Sequence, residues 1–133
     1  MATTTASLTL SSSDLSSDAL SISVTQTLYK DGTTIGLDQT TGLAKKTFAA
    51  ASSNQNIALA SAYTSDQNHR LFIKNPGSST TDSVTVVIGS GHVVIGKLYG
   101  GEFLFIPWDG TNDVDVTTSA TNMSVEYMII SEA

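Results

Sequence analysis

Apolar and polar residues alternate along most of this chain, with the period of two that a half-buried β-strand shows. Leu20, Ile22 and Val24 share one side of such a segment, with serines between them. Val84 and Val86 begin a similar segment in the second half of the chain. A helix would repeat its apolar residues every three to four positions, and that spacing is hard to find here. The alternation therefore predicts an all-β fold.

Turn signals divide the alternating segments into short strands. Residues 31–32 are Asp-Gly, residues 75–77 are Asn-Pro-Gly and residues 100–101 are Gly-Gly, and each of these supplies backbone conformations that tight turns need. Such signals recur roughly every 8–12 residues, which is typical of sandwiches and barrels. We expect a single antiparallel β-sandwich, jelly-roll-like, with about eight to ten short strands.

The length of 133 residues fits one domain. We expect residues 1–10 to form an extended N-terminal arm or first strand, and residues 11–133 to form the β-sandwich domain. The single helical candidate is about one turn over residues 14–20, where Ser13 has the right chemistry for an N-cap.

Composition excludes several classes of function. The chain has 38 Ser and Thr residues but only 14 % charged residues, and its net charge is −6. That charge repels a phosphate backbone, so no nucleic-acid partner is expected. With no cysteine, zinc–thiolate sites and disulfides are absent. The first residues lack the pattern of a signal peptide, and the apolar stretches are too short to span a membrane. We expect a protein that works in water.

No catalytic residue is predicted. His69 and His92 are the two histidines, and each lies at the start of a separate predicted strand. No serine has the spacing of a nucleophile elbow, and the His-x-His ligand pair of metal-binding cupins is missing. Both histidines are interpreted as structural or surface residues, and we expect neither an enzyme nor a bound cofactor.

One oxygen-rich cluster leaves calcium binding open. Asp109, Asn112, Asp113 and Asp115 lie within seven residues, and calcium takes six to eight oxygen ligands. The spacing is not that of an EF-hand, because Ala120 stands where the twelfth-position glutamate would be. Turn chemistry accounts for the same residues, so no metal ligand is assigned.

Aromatic residues leave a carbohydrate-binding β-sandwich module as an alternative function. Trp108, Tyr99, Tyr63 and Tyr29 could form a platform on which sugars stack. Trp108 follows an apolar strand, however, so packing in a core or an interface is the preferred interpretation.

The predicted strand 103–108 is apolar on both faces, with Phe103 and Phe105 pointing one way and Leu104 and Ile106 the other. Two apolar faces require cover on both sides, by a loop or by another subunit. The first residues are small and polar, and are easier to fix across a neighbouring chain than on their own domain. We therefore expect an interface formed by Thr3, Thr4, Thr5, Leu8, Leu104, Ile106 and Trp108.

Several segments carry a resemblance to a known group of proteins. They are residues 36–46, 71–75, 95–108, 114–116 and 124–127. These segments resemble small virion structural proteins of tailed bacteriophages, especially those of cyanophage type. The similarity extends over about residues 20–130 and rests on strand and turn residues, so it carries over no active-site residue.

The resemblance implies a β-sandwich with a structural role, as a capsid decoration (cement) protein that stabilises the head shell. A tail, baseplate or fibre component is the alternative. The implied partners are the major capsid protein or another virion protein, together with further copies of the chain in a trimer or dimer. The implied location is the head surface of a virion, after synthesis in the host cytoplasm.

Overall fold

A computed structural model describes residues 2–132, and within them the chain is almost entirely β-structure. These residues form eleven strands and one turn of 3-10 helix at Ala60–Ala62. The strands are β1 (Thr5–Ser12), β2 (Leu20–Thr27), β3 (Gln39–Thr40), β4 (Ala44–Phe48), β5 (Gln55–Ala58), β6 (His69–Lys74), β7 (Val84–Ile88), β8 (Val93–Leu98), β9 (Phe103–Trp108), β10 (Val114–Thr118) and β11 (Met123–Ser131). The prediction of an all-β, sandwich-like fold with antiparallel sheets is confirmed.

Two sheets form the body of the protein. The first has the strand order β5-β10-β7-β8, and the second has the order β3-β11-β6-β9, with β4 also pairing with β11. All the pairings between these strands are antiparallel within residues 2–132. Strands β8 and β9 are consecutive in the chain but lie at the edges of different sheets.

The core lies between the two sheets and is built from the apolar face of each strand. In β6, Leu71 and Ile73 are fully buried while Phe72 between them is half-buried. Val84 and Val86 of β7 and Val125 of β11 join the same cluster. This is the arrangement that period-two alternation requires, because successive side chains of a strand point to opposite faces.

The helix expected over residues 14–20 is not formed, and this prediction is wrong. These residues make a bent connection, and Leu20 is already the first residue of β2. The cap-like hydrogen bonds come from Ser12, whose hydroxyl oxygen accepts the backbone N–H of Leu15 at 3.1 Å. Because β1 and β2 pair directly, the segment closes a hairpin, and the local serine and aspartate side chains favour that turn equally well.

Within residues 2–132, no helix is long and apolar enough to cross a membrane.

Candidate functional site: an apolar groove beside the N-terminal hairpin

The N-terminal residues form a separate two-stranded sheet outside the sandwich. Strands β1 and β2 pair over eight residues each, from Thr5 opposite Thr27 to Ser12 opposite Leu20. The first ten residues, expected as an arm or first strand, thus contribute β1, whereas Met1 lies outside the described residues. This pair is called the hairpin below.

The two faces of the hairpin differ in chemistry. One face carries only hydroxyl side chains: Thr5, Ser7, Thr9, Ser11, Ser21, Ser23, Thr25 and Thr27. The opposite face pairs Leu8 with Val24 and Leu10 with Ile22, and these four side chains are 42–55 % exposed. An isolated two-stranded hairpin is at best marginally stable in water. The aliphatic face is therefore a surface that gains from being covered.

The base of the hairpin is fixed to the sandwich. Ala6 packs against a small buried cluster of Leu28, Leu37 and Ile130. The Leu28 N–H donates to the Thr4 carbonyl oxygen at 2.8 Å. These anchoring contacts lie at the base of the hairpin, and the aliphatic pairs Leu8–Val24 and Leu10–Ile22 lie nearer its tip.

The close approach of Ala2 to residue 36 adds to this anchoring. A Cβ at Gly36 would lie 2.0 Å from the carbonyl oxygen of Ala2. Glycine at this position therefore lets the start of the chain pass directly over the loop.

Aromatic side chains cover the outer face of the second sheet. Phe72 of β6 lies opposite Phe105 of β9 in the strand register, and the rings of Phe72 and Phe103 are 6.2 Å apart. Phe103 is 58 % exposed and Phe105 is 39 % exposed. Such a contiguous exposed apolar area is typical of an interaction surface.

A groove of about 760 Å³ separates the hairpin from this aromatic face. Leu8 and Val24 line it on the hairpin side, Phe72 and Phe105 line it on the sheet side, and Arg70 also contributes to the lining. The groove falls within the size range of sites that hold ligands or chain segments. It is the candidate functional site.

Five of the seven predicted interface residues meet along this groove. Thr4, Thr5, Leu8, Leu104 and Ile106 all contribute to its lining. Thr3 is exposed and is not among the lining residues.

On β9, however, the outward face is the other one. The side chains of Leu104 and Ile106 pack against the sandwich core, whereas Phe103 and Phe105 are the exposed ones. The exposed surface of β9 is therefore formed by Phe103 and Phe105, whereas the prediction had assigned the interface to Leu104 and Ile106.

Trp108 is not available to an interface, and its selection needs correction. The residue is only 3 % exposed and belongs to the main core. Its ring packs edge-on against Tyr63 at 5.2 Å, and its indole N–H donates to the Asn112 carbonyl oxygen at 2.8 Å. The core satisfies both the apolar ring and its polar atom.

The same burial removes the centre of the proposed sugar platform. Tyr63 is half-buried beside Trp108, while Tyr99 is exposed and Tyr29 is half-buried at other positions of the fold. Trp108 therefore presents no open face on which a sugar could stack.

The two histidines occupy different environments. His69 is fully buried; its Nε2 lies 2.8 Å from the Thr64 carbonyl oxygen, and its Nδ1 accepts the Glu132 backbone N–H at 3.3 Å. These partners place the ring proton on Nε2 and give His69 a structural role. His92 is exposed and lies 3.6 Å from the Asp115 carboxylate.

The carboxylates of the oxygen-rich segment bind separate partners. Asp109 accepts the Thr111 N–H at 2.9 Å, Asp113 accepts the Ala60 N–H at 2.7 Å, and the Asp115 carboxylate accepts the side-chain amide of Asn56. Within residues 2–132, no group of three or more His, Cys, Asp or Glu residues is arranged to hold a metal ion. Hydrogen bonds from backbone and side-chain donors account for these carboxylates.

Sequence reasoning missed two groups of surface residues. Phe72 and Arg70 belong to the groove, and the signal that could have found them is the alternation in β6, where the charges of Arg70 and Lys74 mark the outer face that Phe72 shares. Val93, Val94 and Ile95 are exposed at the β8 edge of the first sheet, although three consecutive aliphatic residues usually indicate a buried strand.

Comparisons of the chain with family models, with curated proteins and with solved structures found no match.

Proposed function

We propose that this chain is a structural protein of a tailed-phage particle, and that it decorates and stabilises the head shell. The single observation that carries the proposal is the uncovered aliphatic face of the hairpin beside an aromatic sheet face. Both surfaces become favourable contacts when a neighbouring protein covers them. The resemblance to virion structural proteins gives the class of neighbour, which is a shell protein or a further copy of the chain.

The size of the hairpin contact can be worked out from its exposure. The remaining exposed fractions of Leu8, Leu10, Ile22 and Val24 together equal about two fully exposed aliphatic side chains. Covering them contributes roughly 3–6 kcal/mol. This gain must offset the loss of translational and rotational freedom on association. The hairpin alone therefore binds weakly, and contacts with the aromatic wall of the groove have to contribute further binding free energy.

The absence of charge in the hairpin strands supports the same role. Neither β1 nor β2 contains a charged residue, although the chain as a whole carries a net charge of −6. The centres of protein interfaces are depleted in charged residues. The hairpin can therefore enter an interface without desolvating an ion.

The proposal is tested on purified particles of a phage whose genome encodes this chain. Particles are purified on a density gradient, their heads and tails are separated, and the chain is located by mass spectrometry. We expect the chain in the head fraction. Its presence only in tails would favour the tail-associated alternative, and its absence from particles would refute a virion role.

Binding to heads then tests the hairpin itself. A double variant, Leu10→Ser with Ile22→Ser, changes one cross-strand pair near the tip. Leu43→Ser is the matched control, because Leu43 is also an exposed leucine but lies outside the hairpin and the groove. We expect about ten-fold weaker binding for the double variant and no change for the control. Equal binding of all three proteins would refute attachment through the hairpin.

A further inference from the structure

The groove has apolar side chains on two opposing walls. Leu8 and Val24 line one wall, and Phe72, Phe103 and Phe105 line the other. The side chains of an extended segment point alternately to its two sides. A segment with apolar residues at consecutive positions therefore contacts both walls, whereas one that alternates apolar and polar residues contacts only one of them favourably.

The charge of the groove adds a second requirement. Of the described residues that line it, Arg70 is the one with a charged side chain, in a chain with twelve acidic and six basic residues. Among residues 2–132, its guanidinium donates to neutral oxygens only, which are the side-chain and backbone oxygens of Asn68 and the backbone oxygen of His69. The ion pairs formed within residues 2–132 do not include Arg70. Partial burial also lowers the pKa of Arg70, as expected for a cation that has lost part of its hydration.

We propose that the groove receives an extended segment of a partner protein, with apolar residues at consecutive positions and one carboxylate that binds Arg70. A carboxylate accepts two parallel hydrogen bonds from a guanidinium, which fixes the direction and register of the segment. The inference rests on the proposed role in association and adds the chemistry of the partner. A segment of about six residues spans the length of β9.

Synthetic peptides test this chemistry directly. The probe is a short peptide of consecutive valine and leucine residues with a free C-terminal carboxylate, and a dye on a soluble polyethylene glycol leader at its amino end. One matched peptide ends in a carboxamide, and a second has threonine at every other position. Binding to the whole chain is measured by fluorescence anisotropy.

We expect the carboxylate peptide to bind about ten-fold more tightly than the carboxamide, because a charged hydrogen-bonded pair is lost in the latter. Arg70→Gln should remove this difference while leaving carboxamide binding unchanged, which also shows that the variant is folded. Lys97→Gln, a matched change of an exposed cation on β8, should retain the difference. The threonine-containing peptide should bind about ten-fold more weakly than its apolar counterpart.

Three results would overturn the inference. Equal affinities for the carboxylate and carboxamide peptides would remove the role of Arg70. Equal affinities for the apolar and threonine-containing peptides would remove the two-walled groove. No saturable binding by any peptide would mean that the groove holds no such segment, as when the hairpin closes onto its own sheet. Peptide binding without head binding would refute the proposed function but leave this inference standing.

Discussion

Removal of the Glu132 carboxylate should destabilise the protein through its backbone partners. Glu132 is buried, and its Oε1 accepts the Asn68 N–H at 2.9 Å. Both carboxylate oxygens also lie within hydrogen-bond distance of the Asp31 N–H, at 3.1 and 3.2 Å. One side chain near the end of the chain therefore joins the loop after the hairpin to the segment before β6.

The magnitude follows from what each partner loses in Glu132→Ala. Asp31 is exposed, so water can replace its hydrogen bond at little cost. Asn68 is half-buried, and its N–H then lacks a partner, at a cost of about 1–3 kcal/mol. We expect a loss of about 2 kcal/mol in the free energy of unfolding, or roughly 7 °C in Tm for a chain of this length. Glu132→Gln keeps one acceptor oxygen and should lose about half as much.

Chemical denaturation followed by circular dichroism measures this change. Glu126→Ala is the control, because Glu126 is a partly exposed residue of β11, the strand that ends just before Glu132, and surface substitutions usually change stability by no more than about 0.5 kcal/mol. Hydrogen exchange should also become faster at Asn68. If Glu132→Ala destabilises the chain no more than Glu126→Ala does, the carboxylate does not hold these segments together.

Three further predictions concern the surroundings of the site. Gly110→Ala should cost at least about 1 kcal/mol, because Gly110 has φ +75° and an added Cβ would lie 2.7 Å from the Thr64 carbonyl oxygen; equal denaturation midpoints would contradict this. Burial, and secondarily Tyr127, raise the pKa of Tyr63, so the folded state favours the neutral phenol. The free energy of unfolding should therefore decrease as the pH rises above about 10. In melts at a series of pH values, the Tm of Tyr63→Phe should decrease less steeply than that of the wild type, and parallel curves would contradict this prediction. Melts in millimolar calcium and in chelator should coincide, because the carboxylates of Asp109 and Asp113 accept backbone N–H groups, and a rise in Tm with calcium would show a metal site.

The sequence predicts the β-structure well because alternation directly reflects which face of a strand is buried. Where a strand is apolar on both faces, the pattern does not show which face is buried. In β9 the side chains of Leu104 and Ile106 face the core and those of Phe103 and Phe105 face outward, yet the sequence fits either orientation. The burial of Trp108 depends on Tyr63, a residue 45 positions away in the chain, and a local pattern cannot reveal that contact.

The hairpin illustrates a different limit. Its alternation is clear in the sequence, and alternation normally indicates a strand with one face in the core. Whether β1 and β2 pair with each other or join the sandwich depends on where the rest of the chain leaves an open edge. The groove forms only because the two strands stay outside and face Phe72 and Phe105. The candidate site thus depends on the topology. The sequence identifies most of its residues individually as apolar strand residues, but it does not show that they meet.

On the hairpin, serine and threonine side chains form one complete face. Its outer face consists of hydroxyl side chains, and Ser7 and Thr25 form a hydrogen bond of 2.9 Å across the two strands. Such short side chains satisfy a polar surface with less loss of rotamer freedom than lysine or glutamate would incur. They also keep the strands uncharged, so the hairpin can approach a neighbour without the repulsion that an acidic chain would otherwise impose. A surface that had only to stay in water would gain from charges, and their absence in β1 and β2 therefore favours association as the role of this hairpin.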